Sequence, residues 1–433
     1  MQQIRKKLEI DSKNYLQVLE IIKNNGGKSR LIGGVVRDAL LDYKASDIDI
    51  ATDLLPNEVM NIFTSLGYKV IPTGIKFGTV SLLYGGEVFE ITTLRKDIAC
   101  DGRRAKVEYS NDFYIDALRR DFTINALSYD PFEELVYDYF SGLQDLENGI
   151  VRFIGNPELR IIEDHLRILR FFRFFGRFGK NLDKASIDAC IFHKNLLNTL
   201  SRERVKAEFD LILNLPNYVD ILVLMERCSI LQEIFSSVVG ARLSVGIDAL
   251  VEAERLVKEF NEENSNKPDV KLKIETKYAL LFSSSFFTSS SSLNSLDSLS
   301  VKNLLAFKFS RIEARRIYTL LNYLDLEDID DYFFKKIWLE DDNFVQTFIF
   351  LGVMISKESF SRSLILLGSY NIKKPIFPVN GDDLSGLGFD GRELGLELAE
   401  LKKLWIDSDF QLGKNQLIKL VSSKQNSNSK KSR

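Results

Sequence analysis

Near residue 150 the chain changes its rhythm, and that change restricts the possible folds more than any other feature. Before it, helix and strand signals alternate. Tyr15 to Lys23 has helical periodicity and stops at Gly26-Gly27, and Ser29 to Ile32 reads as a short strand before a glycine turn and a helix through Val36–Leu41. Asp47 to Ala51 alternates acid and apolar residues, the period of a half-buried strand, and Asp53 to Pro56 opens a helix over Asn57–Leu66. Strands recur at Tyr68–Ile71, Thr79–Tyr84 and Glu87–Thr93, with Gly85-Gly86 as a hairpin turn. From about Asn156 onward only helical spacing remains, over Leu159–Phe178, Lys184–Leu200, Ser201–Leu213 and Ile221–Phe235. The pattern predicts an α/β head followed by an all-α half.

A length of 433 residues allows about three units at roughly 150 residues each. The formal charge of −3 excludes a polybasic coat, so any nucleic-acid surface has to be local. Cys100, Cys190 and Cys228 are odd in number and far apart, which fits neither a zinc site nor a disulfide framework and suits a reducing cytosol. With His165 and His193 as the two histidines, histidine-rich metal centres and metal-dependent phosphohydrolases are excluded, and chemistry must rest on carboxylates, arginines and lysines. Met1–Asp11 is charged, unlike a signal peptide, and no run approaches the ~18 apolar residues of a membrane helix, so no membrane role is expected. Ser283–Ser300 is serine-rich and reads as a loop or insertion.

Gly33-Gly34-Val35-Val36-Arg37-Asp38 lies between a strand and a helix. Two glycines let the backbone approach a phosphate, the helix start offers N–H groups, and Arg37 adds a charge. Taken alone, such a pair of glycines is also a plain turn. Asp47-Ile48-Asp49 follows. On a strand, residues i and i+2 share a face, so the two carboxylates converge; they repel unless a cation lies between them. Mg²⁺ fits, since it takes one or two carboxylates together with substrate phosphates. An exposed acidic strand face is the alternative, and the phosphate turn upstream favours the metal.

GGxVRD followed by DxD resembles the head of the class II nucleotidyltransferases, the family of tRNA CCA-adding enzymes and bacterial poly(A) polymerases. Thr73–Val80, Phe89–Arg95 and Leu118-Arg119-Arg120-Asp121-Phe122-Thr123-Ile124-Asn125-Ala126 are similar, in order, to further motifs of that family, and the likeness is dense over residues 30–210. The resemblance implies a polymerase-β-like head with a mixed sheet over 1–150, a nucleotide-selecting helical neck over 151–215, a helical body over 216–376 and a tRNA-binding helical tail over 377–421. Residues 422–433, rich in Ser, Asn and Lys, are expected to be a disordered basic tail.

Glu163-Asp164-His165-Leu166-Arg167 resembles the motif EDxxR, read in the family as an amino-acid template for the base. Asp164 and Arg167 are expected as neighbours i and i+3 on one helix. A carboxylate accepts and a guanidinium donates. Cytosine and adenine each present an amino donor beside a ring-nitrogen acceptor, whereas uracil and guanine present the reverse, and each mispaired buried group costs ~1–3 kcal/mol. The pair therefore suits C and A. Arg170 and Arg173 continue the spacing by threes; the resemblance takes them to the triphosphate, while a basic amphipathic helix with its phenylalanines in the core is the other reading. Glu203-Arg204-Val205 with Glu208 resembles a further motif of structural character.

The resemblance places Asp47 and Asp49 on Mg²⁺, with Glu90 as a candidate third carboxylate. It assigns Gly33, Gly34, Arg37, Arg119, Arg120, Asp121 and Asn125 to the nucleotide. Arg95, Asp97, Arg103 and Arg104 fall in a loop that is flexible in the family, takes part in the switch from C to A, and is short in enzymes adding two cytidines only; here it has full length. Implied partners are tRNA, CTP and ATP, with no obligate protein partner. The rivals are poly(A) tailing, A-only or CC-only addition, a non-catalytic RNA-binding protein, and transfer to a small molecule. Gly74–Val80 is more similar to the CCA-adding form, and the long helical half suits a macromolecular substrate.

Overall fold

The computed structural model describes residues 1–44, 47–99, 106–235, 243–263, 265, 269–283, 301–326, 330–354 and 374–431. The head runs β1 (Gln2–Arg5), α1 (Tyr15–Asn24), β2 (Ser29–Ile32), α2 (Gly34–Leu40), β3 (Ile48–Thr52), α3 (Pro56–Ser65), β4 (Lys69–Gly74), β5 (Thr79–Tyr84), β6 (Glu87–Thr93), β7 (Arg95–Ala99), β8 (Lys106–Tyr109), α4 (Phe113–Leu118), β9 (Ser128–Asp130), β10 (Leu135–Asp138) and α5 (Gly142–Glu147). Eight strands form one sheet in the order β1-β10-β9-β2-β3-β6-β5-β4, and β7 pairs with β8 separately. β3 and β6 run parallel, and the other neighbours are antiparallel. The expected mixed sheet is present. The short strands β1, β9 and β10 were not legible, because each is a few residues long and stabilised by its neighbours rather than by an alternating pattern of its own.

Alternation on β3 and β6 separates core from site. Ile48, Ile50, Phe89 and Ile91 join Val80, Leu82, Val18, Leu19, Ile22, Val59 and Phe63 in one apolar cluster. Asp49 and Glu90 fall between them in sequence and pair directly across the parallel ladder, so they project from the opposite face.

Beyond the head every described element is helical: α6 (Pro157–Glu163), α7 (Arg167–Phe178), α8 (Lys184–Phe192), α9 (Arg202–Leu213), α10 (Tyr218–Arg227) and α11 (Ile230–Phe235) come first. The single helix expected over Leu159–Phe178 is two. Asp164 leaves α6 in an extended conformation (φ −151°, ψ 106°), and its Oδ1 accepts from Leu166 N at the start of α7. Asp164 and Arg167 are therefore not i and i+3 on one helix; the aspartate sits at the break, where a short acceptor that can bond the backbone is favoured. α7 is fastened to the head by aromatic contacts, with Phe122 4.8 Å from Phe153 and Phe153 stacked on Phe171 at 5.9 Å.

The chain divides into two compact units, Met1–Gly240 with Ala306–Lys308, and Ala241–Leu305 with Phe309–Arg433. In the second unit α12 (Ser244–Glu263) packs on α13 (Ile274–Phe282), which buries Tyr278 and Phe282. A separate cluster of Val379, Leu384, Leu401, Trp405, Ile406, Leu417 and Val421 holds the terminal helices together. The last helix, Lys414–Lys431, continues through most of the stretch where composition predicts a disordered tail; it contains no glycine or proline to end it.

Gly246 lets α12 approach α13 closely. A Cβ built there would lie 2.2 Å from the carbonyl oxygen of Leu281, a backbone atom that cannot swing aside. Gly246→Ala is expected to destabilise the second unit by about 1–3 kcal/mol, the usual cost of overpacking. The measurement is the shift in urea midpoint by circular dichroism; an unshifted midpoint contradicts the packing argument.

Candidate active site

An open cavity of about 760 Å³ gathers most of the predicted residues. Its walls include Gly33, Gly34, Arg37, Asp47, Asp49, Glu90, Arg95, Arg119, Arg120, Asp121, Asn125, Asp164, Arg167, Arg170 and Arg173, to which the structure adds Asp38, Thr79, Thr92, Phe174 and Arg177. Arg103 and Arg104 lie outside the described residues, as does the side chain of Asp97.

The acids occupy the middle of the sheet. Burial raises the Asp49 carboxyl to about 6, Arg120 works against that rise, and Glu90 and Asp47 add to it. A carboxylate raised chiefly by burial, with two further acids beside it, is one that a cation would stabilise. Among the described residues no three His, Cys, Asp or Glu side chains form a ready-made metal cage. An all-oxygen set of one or two carboxylates completed by substrate phosphates is nevertheless the arrangement that suits Mg²⁺, and Asp47 with Asp49 fits it.

Gly33 makes the phosphate turn possible. Its φ of +69° falls in the left-handed region, and a Cβ there would stand 2.8 Å from Nη1 of Arg120. Glycine thus admits both the backbone conformation and the arginine. Arg37 is nearly fully buried: Nε and Nη2 donate to Asp38 Oδ1 at 2.9 and 2.7 Å, Nη1 donates to Asn125 Oδ1, and the guanidinium lies 4.3 Å from the centre of the Phe178 ring. Burial lowers its pKa while Asp38 opposes that change. Its geometry makes it a brace of the turn as well as a wall of the cavity.

The other arginines are held by carboxylates behind them. Arg119 Nε donates to Asp116 Oδ1 at 2.9 Å, and Arg120 Nη2 donates to Asp116 Oδ2 at 3.2 Å. Arg170 donates from Nε at 2.7 Å to Asp121 Oδ2, while Asp121 Oδ1 accepts from the amide of Asn125 and from Phe122 N. Arg173 donates to Glu208 Oε1, and Arg177 reaches Asp38 Oδ2 at 3.0 Å. Beneath them lies the Phe174 ring, with the guanidinium carbons of Arg173, Arg170 and Arg37 at 4.4, 5.2 and 5.3 Å. Phe171 and Phe172 are core, as expected; Phe174 is both core and the floor under the arginines.

At the break between α6 and α7, both carboxylate oxygens of Asp164 accept from Nη2 of Arg204 at 2.9 and 2.8 Å. Arg167 donates to Glu163 Oε2 at 2.8 Å and to the carbonyls of Arg160 and Arg119, each at 3.0 Å. Both side chains are thus fixed before any nucleotide arrives, each with further lone pairs or N–H groups in hand.

Residues 29–152 match the family profile described as the poly(A) polymerase head domain. The chain is 32% identical over 413 residues to the mitochondrial CCA tRNA nucleotidyltransferase 1 of Danio rerio, an alignment covering 93% of this chain and 89% of that protein. It belongs to the CCA tRNA nucleotidyltransferase family. The human protein of the same name is 31% identical over 93% of this chain and 88% of its own length. Among solved structures, the Bacillus stearothermophilus CCA-adding enzyme in complex with CTP superposes with a TM-score of 0.71 over 97% of this chain and 98% of that one, at 23% identity, which establishes the shared fold. The Thermotoga maritima CCA-adding enzyme complexed with tRNA gives 0.67 at 22% identity over 94% of each chain.

Within that family fold, several working residues escaped sequence reasoning. Asp116 was legible in principle, since it stands three and four positions before Arg119 and Arg120, the spacing of helical ion pairs. Arg204 and Glu208 were noticed as a structural motif, but their partners Asp164 and Arg173 are 40 and 35 residues away. No local signal reports such pairings.

Asp116 and Asp121 give the protein an acid limit. Burial alone would raise both carboxyls, yet Arg119 and Arg120 hold Asp116 low, and Arg170 with Asn125 does so for Asp121. Their folded pKa values lie below the unfolded value of about 4, so their stabilisation is complete above that pH and is lost as pH falls through the folded values. The contribution of these two carboxylates to thermal stability is expected to hold level from pH 7 to about 5 and to drop below about 4, on top of a gain from protonation of Asp49 as pH falls through about 6. Asp116→Asn should start lower at neutral pH and fall less steeply; a parallel curve would rule out the assignment. Arg204→Ala, which releases Asp164, is expected to lower kcat/KM for CTP about ten- to hundredfold, the worth of a charged hydrogen bond, while UTP suffers less. Steady-state kinetics with the four nucleotides measures this.

Proposed function

We propose that this chain adds CMP and AMP to the 3′ end of tRNA, from CTP and ATP, with release of pyrophosphate. The observation that carries the reading is a single cavity in which an acid cluster meets a glycine phosphate turn, a bank of arginines and the Asp164–Arg167 pair, in a chain alignable nearly end to end with CCA tRNA nucleotidyltransferases. In the reaction the 3′-hydroxyl oxygen of the RNA bonds to the α-phosphorus. The bond from that phosphorus to the oxygen bridging to the β-phosphate breaks, pyrophosphate leaves with the electron pair, and the hydroxyl proton passes to solvent.

Asp47 and Asp49 are the residues that would hold Mg²⁺, which when bound lowers the pKa of the hydroxyl and neutralises charge on the leaving group. Arg120, Arg170 and Arg173 orient the triphosphate over the Gly33–Gly34 turn, and their buried carboxylate partners keep them aimed without waiting for substrate. Asp164 accepts from the amino group of C or A while Arg167 donates to the ring nitrogen. Addition of the terminal A as well as the two cytidines, rather than CC alone, is supported by the full length of the segment from Arg95 to Arg104.

No described helix is long and apolar enough to cross a membrane. The buried free thiols Cys190 and Cys228 suit a reducing compartment, which we take to be the cytosol, although the vertebrate relatives are named mitochondrial.

The deciding experiment incubates the protein with tRNAs lacking all, part or none of the terminal CCA, supplying each nucleotide singly and with Mg²⁺ present or chelated. Addition that needs Mg²⁺, uses CTP then ATP and stops at the completed end is expected. A long A tail on unrelated RNA would favour the poly(A) activity named by the head-domain profile. Asp49→Ala should reduce transfer at least a thousandfold, the ~4 kcal/mol of a lost electrostatic anchor, while tRNA binding by filter retention persists.

A further inference from the structure

An in-line displacement needs the attacking and leaving oxygens on opposite sides of the phosphorus. The sheet order gives that requirement a direction. Gly33 follows β2, Asp49 is on β3, Glu90 and Thr92 are on β6, and Thr79 is on β5, in spatial sequence across the sheet. Arg37 and Arg120 gather at the Gly33 turn, on the β2 side of the acids. If they hold the departing pyrophosphate, the RNA hydroxyl arrives from the β6–β5 side.

On that side the cavity wall carries an unusual feature, a pair of hydroxyls. Thr79 and Thr92 face each other across the antiparallel ladder with their Oγ1 atoms 2.9 Å apart, and both line the cavity beside Glu90. One hydroxyl hydrogen closes that contact. The second hydrogen and the remaining lone pairs are left to offer one donor and acceptors at a single point. Next to them Ile75, Lys76 and Phe77 are exposed, so a strand can enter over this turn.

We propose that Thr79 and Thr92 together receive the 2′-hydroxyl of the terminal ribose of the RNA primer, placing its 3′-hydroxyl at the acids and marking the end as RNA rather than DNA. The inference rests on the nucleotidyl-transfer reading above. A 2′-hydroxyl is both donor and acceptor, the complement of this pair, and it is the group by which a site separates RNA from DNA. Phosphate is better matched by the bank of arginines at the Gly33 turn than by two hydroxyls, and a base edge would not select a ribose.

The test uses the full chain with tRNA ending in CC, bearing either a ribose or a 2′-deoxyribose at its last residue, and ATP. Wild type is expected to prefer the ribose end by about tenfold in kcat/KM, the worth of one hydrogen bond with its partner left unpaired when absent. Thr79→Val/Thr92→Val keeps the shape but removes both hydroxyls. It should raise KM for the ribose primer several-fold, move KM for ATP much less, and bring the ribose-to-deoxyribose ratio towards one. Thr79→Ser/Thr92→Ser should restore the preference. An unchanged ratio in the valine variant, equal losses on both primers, or a wild type indifferent to the 2′-hydroxyl overturns this proposal while leaving nucleotidyl transfer intact. A wild type that extends neither primer overturns both readings.

Discussion

The buried carboxylate of Asp121 is the contact on which the site depends. It accepts from the Phe122 amide, from Asn125 and from Arg170, so one side chain ties the loop after α4 to the first turn of α7. An unpaired charge at this depth would be very costly, and removing either partner strands the other. The aromatic contacts of Phe122 with Phe153 and Phe174 close around the same point. Head and selecting helix are therefore joined by one charged anchor inside an apolar collar, which sets where Arg170 and Arg173 stand relative to the acids.

The second constraint is electrostatic crowding. Among the described residues eight arginines line one cavity, and each like-charge neighbour makes the next harder to place. Asp38 and Asp121 in the cavity wall, and Asp116 and Glu208 behind it, offset this. The arrangement leaves the cations fixed and facing inward, as a site for polyphosphate requires. Preorganisation of this kind lets binding energy go to the substrate rather than to ordering side chains.

Much of the fold and candidate site was legible because its signals are local. Asp47-Ile48-Asp49 reads as an acid-bearing strand through its period of two, and Gly33-Gly34 as a turn through the freedom of glycine. Thr79–Tyr84 and Glu87–Thr93 are strands with the expected bounds. The helix break at Asp164 was missed, since the apolar spacing runs smoothly across it and the bond from distant Arg204 that supports it, beside the local one from Leu166 N, has no sequence signal. Arg37 reads from sequence as a simple phosphate contact, whereas its burial against Asp38, Asn125 and Phe178 depends on α7 lying over α2.

By itself the sequence determined the class of the head, the change to helices beyond it, the acid strand, the phosphate turn and the residue types able to read C and A. Each follows from periodicity, glycine chemistry or hydrogen-bond polarity, which are properties of short stretches. The tertiary structure decided the partners: Asp116 for Arg119 and Arg120, Asp121 for Arg170, Glu208 for Arg173, Arg204 for Asp164, and Thr79 for Thr92. Most of these join residues distant in the chain, and their energy comes from burial, which exists only once the fold has excluded water.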